Sequence, residues 1–228
     1  MKKNIIILGV LSLFVTVGFS QDKAFQIYNA DGKKVSYRIF SQSCAKADVV
    51  LFGENHNDPI SHWLQLELTK SLFKKHGEKL MLGAEMIESD NQVVLDEYLL
   101  GFSREKDFEK EAKIWPNHKT DYRPLLRFAK DNNLYFVATN IPRRFANMVY
   151  RFGIDTLEHL PEASKQLIAP LPIAYDTSLQ CYKEISIMAG GHGGDNLPKS
   201  QAIKDATMAY FIHANMKEET KFIHYHGS

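Results

Sequence analysis

Short apolar runs alternate with longer amphipathic stretches along most of the chain. The run Val49–Phe52 is wholly apolar, which is typical of a strand covered on both faces, and comparable runs occupy residues 80–86, 134–139 and 222–225. Apolar residues recur with helical spacing in the stretches around these runs, at about 58–76, 91–100, 104–114, 122–130, 142–150 and 198–216. This alternation predicts an α/β fold, with a mostly parallel sheet and flanking helices.

Other segments carry different patterns. Residues 24–40 predict a β-hairpin, because Phe25–Tyr28 and Val35–Phe40 alternate in polarity around a turn at Asp31-Gly32. Residues 153–197 show no strand pattern, and prolines separate several short helical stretches there. We therefore expect a small helical subdomain at 153–197, within one α/β domain that spans 21–228.

The first residues have the pattern of a secretory signal peptide. Lys2 and Lys3 precede the apolar run Ile5–Val17, and the small residues Gly18 and Ser20 lie at the −3 and −1 positions before the predicted cleavage site. The alternative is a membrane anchor, but the run is shorter than the roughly 20 residues that a spanning helix needs. The sequence predicts cleavage after residue 20 and export to the periplasm or cell envelope. No cysteine follows the run, so a lipid anchor is not supported.

The composition argues against several classes of function. The 28 basic and 27 acidic side chains nearly cancel, so the chain lacks the basic excess that binds nucleic-acid phosphates. Cys44 and Cys181 lack the spacing of a zinc ribbon or a redox pair. They could form a disulfide in an exported protein, but we prefer the interpretation that both are small buried apolar residues.

Polar side chains follow the predicted strands where each of them ends. Glu54 and His56 follow the first strand, Glu85 lies in the second, Asn140 follows the third and His226 follows the last. The carboxyl ends of parallel strands share one edge of the sheet, where ligands bind. Carboxylates and imidazoles that meet there predict a metal or acid–base site.

Each of these side chains also has a structural alternative. The candidate catalytic residues are Glu54, His56 and Glu85, and the same three residues with His62 are the candidate metal ligands. Glu85 could instead pair with an arginine, and His62 could be a solvated helix residue. Asn140 is more simply explained as a cap of the helix that starts at Pro142.

Further candidates lie towards the end of the chain. Tyr175 and Tyr182 could each donate a phenolate to ferric haem, although either could be a packing aromatic. Lys204 and Asp205 in the last long helix could approach the strand ends, and His192 lies in a glycine-rich loop. The sequence contains no HExxH, GxGxxG, Walker A or GxSxG motif.

A series of short motifs resembles a known family. In chain order the series is Phe52–His56 followed by His62, then Gly83–Met86, Asp121–Leu125 and Gln201–Ala209. Together the motifs resemble the ChaN family, which comprises bacterial haem-binding uptake proteins in the superfamily that also contains Tiki and TraB. The resemblance extends over about Val35–Ser228.

The resemblance implies an exported protein of iron acquisition, with an α/β core and a small helical subdomain. It implies haem held between two subunits, and therefore a homodimer, with an outer-membrane uptake receptor as a further partner. Tyr182 and Tyr175 are the candidate iron ligands, and no motif chooses between them. His192 and Lys204 are the candidates for contacts with the haem propionates.

The related Tiki proteins imply a second hypothesis, a hydrolase that depends on a divalent metal. Their resemblance rests on two GxxH motifs and a glutamate. Gly53–His56 matches the first motif, and Glu85 is similar to the glutamate. The second motif would begin at Gly227, close to the end of the sequence. We therefore expect the sequence to be part of a longer chain.

Overall fold

The computed structural model describes residues 24–188, 194 and 196–228. The predicted signal peptide at 1–20 and His192 lie outside these residues. Within them, no helix is long and apolar enough to cross a membrane.

The elements follow the predicted order closely. The strands are β1 Ile27–Tyr28, β2 Lys34–Val35, β3 Val49–Glu54, β4 Leu80–Glu88, β5 Phe136–Asn140 and β6 Lys221–Gly227. The α-helices are α1 Tyr37–Cys44, α2 Pro59–His76, α3 Gln92–Leu99, α4 Glu105–Glu111, α5 His118–Asp121, α6 Arg123–Asp131, α7 Arg143–Phe152, α8 Glu162–Lys165, α9 Gln180–Met188 and α10 Asn196–Asn215. Short 3₁₀ turns occupy Gly77–Lys79, Ser89–Asn91 and Ile154–His159.

In the part of the chain that the structure describes, four parallel strands form the central sheet in the order β3-β6-β4-β5. The α/β prediction with a parallel sheet is therefore confirmed. The strand furthest along the described chain, β6, lies inside the sheet between β3 and β4. All four strands point the same way, so their carboxyl ends share one edge, which is where the polar residues of interest lie.

Each face of the sheet is covered by helices. On one face, Leu82, Ile223 and Tyr225 are buried in the main core, together with Leu68 of α2 and Leu126 of α6. On the other face, β-strand residues pack in a smaller cluster against Ile212 of α10. Burial from both sides explains the apolar runs of β4, β5 and β6. The prediction that the run Val49–Phe52 is covered on both faces is wrong, because Leu51 of β3 is 63% exposed.

The predicted hairpin is correct only in part. Ile27 and Val35 pair in an antiparallel register, but the predicted second strand Val35–Phe40 is wrong beyond Val35. The side chain of Ser36 accepts a hydrogen bond from the Ile39 amide and starts α1. The Tyr37 hydroxyl then bonds Ser71 of α2 at 2.9 Å. A helix that packs on α2 therefore replaces the strand.

Residues 153–188 contain helices and loops that join α7 to α10. Val149 of α7, Leu157 and Ile168 are buried in one cluster with Ile203 of α10. This cluster packs the segment against α10. The division into a separate subdomain at 153–197 stays a prediction.

The cysteines differ in their surroundings. In the described part of the chain both are free thiols, with Cys44 half-buried and Cys181 exposed. The prediction of two buried apolar residues is therefore wrong for Cys181, because it lies on an outward side of α9.

Candidate functional site

The buried carboxyl group of Glu54 organises the end of β3. Its Oε1 accepts hydrogen bonds from His56 Nδ1 at 2.9 Å and from the Tyr122 hydroxyl at 2.6 Å. Its Oε2 accepts a hydrogen bond from Gln65 Nε2. Burial, followed by the contact with Glu54, raises the pKa of Tyr122 well above its usual range. Every oxygen of this buried carboxyl group is thus bonded, as burial of such a group requires.

His62 fixes the loop that follows β3. It is buried one turn into α2, and its Nε2 donates to the backbone carbonyl of His56 at 3.0 Å. Asn117 Nδ2 donates to the same carbonyl at 2.9 Å. His62 Nδ1 lies 3.4 Å from Glu54 Oε2. The alternative of a solvated His62 is therefore wrong, because His62 is buried and bonded to the backbone of His56.

His56 and Glu85 meet across the end of β6. The Nδ1 of His56 is taken by Glu54, which leaves Nε2 on the other side of the ring. Glu85 Oε2 accepts a hydrogen bond from the Gly227 amide at 2.8 Å. A methyl group on Gly227 would lie 2.9 Å from the His56 ring and 3.6 Å from Glu85 Oε2. Only glycine allows this close approach.

We call Glu54, His56, His62 and Glu85 the strand-end cluster. The predicted convergence of these side chains is observed. None of the ion pairs among residues 24–188, 194 and 196–228 joins Glu85 to an arginine. No group of three or more His, Cys, Asp or Glu side chains within those residues is arranged to hold a metal ion.

Asn140 and His226, the remaining residues at the strand ends, each contact another residue of the sheet. Asn140 Nδ2 donates to the Glu85 backbone carbonyl at 2.8 Å, whereas the N-cap of α7 is Pro142 and no side chain caps the helix. The capping alternative for Asn140 is therefore wrong. The His226 ring stacks on His224 with 5.6 Å between centroids.

His224 was not identified from the sequence. It is buried and bonds Thr139 Oγ1 at 2.7 Å. Desolvation, with a smaller effect of His226, lowers the pKa of His224 to about 3. A histidine inside an apolar run was the available signal, since such a residue needs a buried partner.

The candidate tyrosines lie together beside α10. The rings of Tyr175 and Tyr182 are 5.4 Å apart between centroids. They line a cavity of about 350 Å³ with Lys183 and Lys199, and we call these four residues the tyrosine groove. Neither lysine was singled out from the sequence, because their position depends on how α9 packs against α10. The predicted Lys204 is half-buried on α10 and donates to Gln201 Oε1 at 3.4 Å.

Asp205 lies between the tyrosine groove and the strand-end cluster. The Tyr182 hydroxyl donates to Asp205 Oδ2 at 3.2 Å. Desolvation and the Asp205 charge raise the pKa of Tyr182 to about 12. Burial, together with the nearby Glu85 charge, raises the pKa of Asp205. The expectation that Asp205 approaches the strand ends is consistent with this coupling to Glu85.

Fold and site together define a parallel α/β protein with polar residues at the carboxyl edge of its sheet and a tyrosine-lined groove beside it. The family model described as haem-binding uptake, Tiki superfamily, ChaN, matches residues 40–228, and the chain belongs to this family. The resemblance found in the motif series is confirmed. The family assignment supports a haem-binding uptake-type protein with haem as its ligand.

The chain is similar to solved structures, and the first of those described below shares its fold. The structure described as cofacial heme binding to ChaN of Campylobacter jejuni is 18% identical, with a TM-score of 0.65, over 86% of this chain and 76% of that chain. A MARTX toxin effector domain from Vibrio vulnificus is 17% identical, with a TM-score of 0.45, over 82% of this chain and 29% of that chain. No curated protein sequence matches the chain.

Proposed function

We propose that the protein is an exported haem-binding protein of iron uptake, and that it holds haem in the tyrosine groove through the phenolic oxygen of Tyr182. The observation that carries the proposal is the pairing of Tyr182 and Tyr175 in a cavity that also presents Lys183 and Lys199. The family assignment supports haem as the ligand.

The residues of the groove fit haem in their chemistry. A tyrosine oxygen is an established axial ligand of ferric haem iron. Lysine ammonium groups bind carboxylates as point charges, so Lys183 and Lys199 suit the two propionates. These two lysines replace Lys204 as our candidates for the propionate contacts, because both line the cavity.

The surroundings of the groove favour a homodimer. Leu179 and Ile187 are 46% and 75% exposed, and helical spacing puts both on the side of Lys183. Exposed apolar side chains beside a ligand groove favour a second covering surface. The Campylobacter jejuni structure is described as binding heme cofacially, an arrangement that a symmetric pair of grooves would also produce.

Export and delivery complete the proposal. The pattern of residues 1–20 supports translocation to the periplasm or cell envelope. An outer-membrane uptake receptor is the partner that would supply or receive haem there.

Titration of the purified protein with hemin tests the ligand. We expect a saturable change in the Soret band at one haem per chain, which is lost or displaced in Tyr182→Phe. Tyr175→Phe tests the second tyrosine, and Tyr210→Phe is the matched control, because Tyr210 lies away from the groove on α10. A Soret change in Tyr182→Phe identical to the wild type would refute the ligand assignment. Light scattering of the haem-loaded protein tests the dimer.

A second candidate function is metal-dependent hydrolysis at Glu54, His56 and Glu85. The bond from His56 Nδ1 to buried Glu54 favours it, because it orients the imidazole and leaves Nε2 on the side of Gly227 and Glu85. A divalent metal would supply an activated water there, but no three of the described His, Cys, Asp and Glu side chains are arranged to hold one, so this function requires the side chains to move.

Metal analysis distinguishes the two functions. The hydrolase predicts a stoichiometric divalent metal that His56→Ala removes, whereas His213→Ala, an exposed histidine on α10, retains it. An absence of metal after dialysis against excess zinc would contradict the hydrolase and leave the haem proposal intact.

A further inference from the structure

Asp205 is held on both of its oxygens. Its Oδ2 accepts the hydrogen bond from the Tyr182 hydroxyl at 3.2 Å, and its Oδ1 accepts one from Gln201 Nε2 at 3.0 Å. Gln201 and Asp205 are four residues apart on α10, so they share one side of that helix. The carboxyl group therefore has a fixed orientation, and the hydroxyl of Tyr182 takes its direction from it.

A role in joining α9 to α10 does not explain why a carboxyl group is present at position 205. Among the ion pairs of the described residues, none includes Asp205, and the charge of Glu85 lies nearby. Lys204 lowers the pKa of Asp205 less than burial raises it. A half-buried carboxylate without an ion pair is expensive, and an apolar contact would join α9 to α10 at lower cost. The specific result of the arrangement is the placement of one phenolic oxygen beside the groove.

We propose that Asp205 is a positioning residue for haem binding, which holds the oxygen of Tyr182 at the edge of the tyrosine groove. This inference rests on the proposed function. Tyr182 can rotate about its side-chain bonds, and the Asp205 bond removes that freedom before the ligand arrives. Such preorganisation raises affinity because less entropy is lost on binding. When the oxygen of Tyr182 binds iron, its proton passes along the existing hydrogen bond to Asp205, a carboxyl group whose pKa burial raises. It also selects Tyr182 over the neighbouring Tyr175 as the iron ligand.

Variants of the full chain test the positioning. We expect Asp205→Ala to weaken hemin binding about three- to tenfold, the loss of one oriented hydrogen bond. Asp205→Asn keeps a polar group of the same shape, so its affinity should stay within about twofold. Gln201→Ala frees one oxygen of the carboxyl group and should have a smaller effect than Asp205→Ala.

A spectroscopic signature separates positioning from general loss of structure. An amide in place of the carboxyl group changes the hydrogen bond at the Tyr182 oxygen, so the phenolate-to-iron charge-transfer band should move in Asp205→Asn. A wild-type band in Asp205→Asn would overturn the inference, even if Asp205→Ala fails to fold. Absence of hemin binding by the wild type, or an unchanged band in Tyr182→Phe, would instead overturn the proposed function.

Discussion

Glu54 and Tyr122 are 68 residues apart in the chain and are joined by a hydrogen bond of 2.6 Å in the interior of the protein. The bond ties the end of β3 to the start of α6. It also gives one of the Glu54 oxygens a second donor besides His56. The geometry of the strand-end cluster therefore depends on a residue outside the strand ends.

Tyr122→Phe should destabilise the protein by about 1–3 kcal/mol, because it removes a donor from a buried carboxyl group. Urea unfolding followed by circular dichroism measures the change. Tyr135→Phe is the control, since Tyr135 is 43% exposed, and its effect should stay within about 0.5 kcal/mol. Equal stabilities of the two variants would contradict the role of the Tyr122 bond.

Gly83→Ala should destabilise the sheet by about 1–3 kcal/mol through overpacking. A methyl group at this position in β4 would lie 2.8 Å from the Phe222 ring and 3.1 Å from Thr139 Cγ2. Thermal and urea unfolding measure the loss, with Lys110→Ala on the exposed side of α4 as the control. A Gly83→Ala protein as stable as the wild type would show that β6 can shift to admit the methyl group.

The stability of the protein should fall as the pH is lowered from 6.5 towards 3. The pKa of His224 falls from 6.5 to about 3 on folding, so the unfolded chain binds a proton in this range and the folded chain does not. The free energy of unfolding should therefore be lower by about 2 kcal/mol at pH 5 than at pH 7 because of His224. Urea midpoints at pH 7 and pH 5 should therefore differ less in His224→Gln than in the wild type. His213→Gln, at an exposed position, should retain the wild-type difference.

Lys199→Ala should weaken hemin binding about two- to fivefold. This is the loss expected when one partly exposed ion pair with a propionate is removed. Binding of the propionate dimethyl ester should not change, because the ester carries no charge. The comparison is made by absorbance titration at low salt. Lys165→Ala is the control, as Lys165 lines a different cavity and pairs with Glu162. An equal loss for hemin and its ester would exclude a charge contact.

Local signals in the sequence were sufficient for most elements. Asp58 and Pro59 predicted the start of α2 because capping and proline effects act over a few residues. Tyr37–Phe40 was misassigned because a few residues can satisfy both alternation and helical spacing. Packing against Ser71 decides between them.

The sequence predicted only those residues of the candidate site whose positions follow from the strand order of the sheet. Parallel strands bring Glu54 and Glu85 to one edge whatever the loops do. The Tyr122 bond and the positions of Lys183 and Lys199 depend on how helices distant in sequence pack together. Side-chain patterns within one segment carry no information about such contacts.

The interior place of β6 has a consequence for synthesis. Lys221 at its start contacts Asp48, 173 residues earlier in the chain, and contacts of such long range slow folding. Until residues 221–227 have been translated, β3 and β4 lack the strand that joins them and present unpaired apolar edges. The nascent chain therefore has to be kept from aggregation at least until residues 221–227 have left the ribosome.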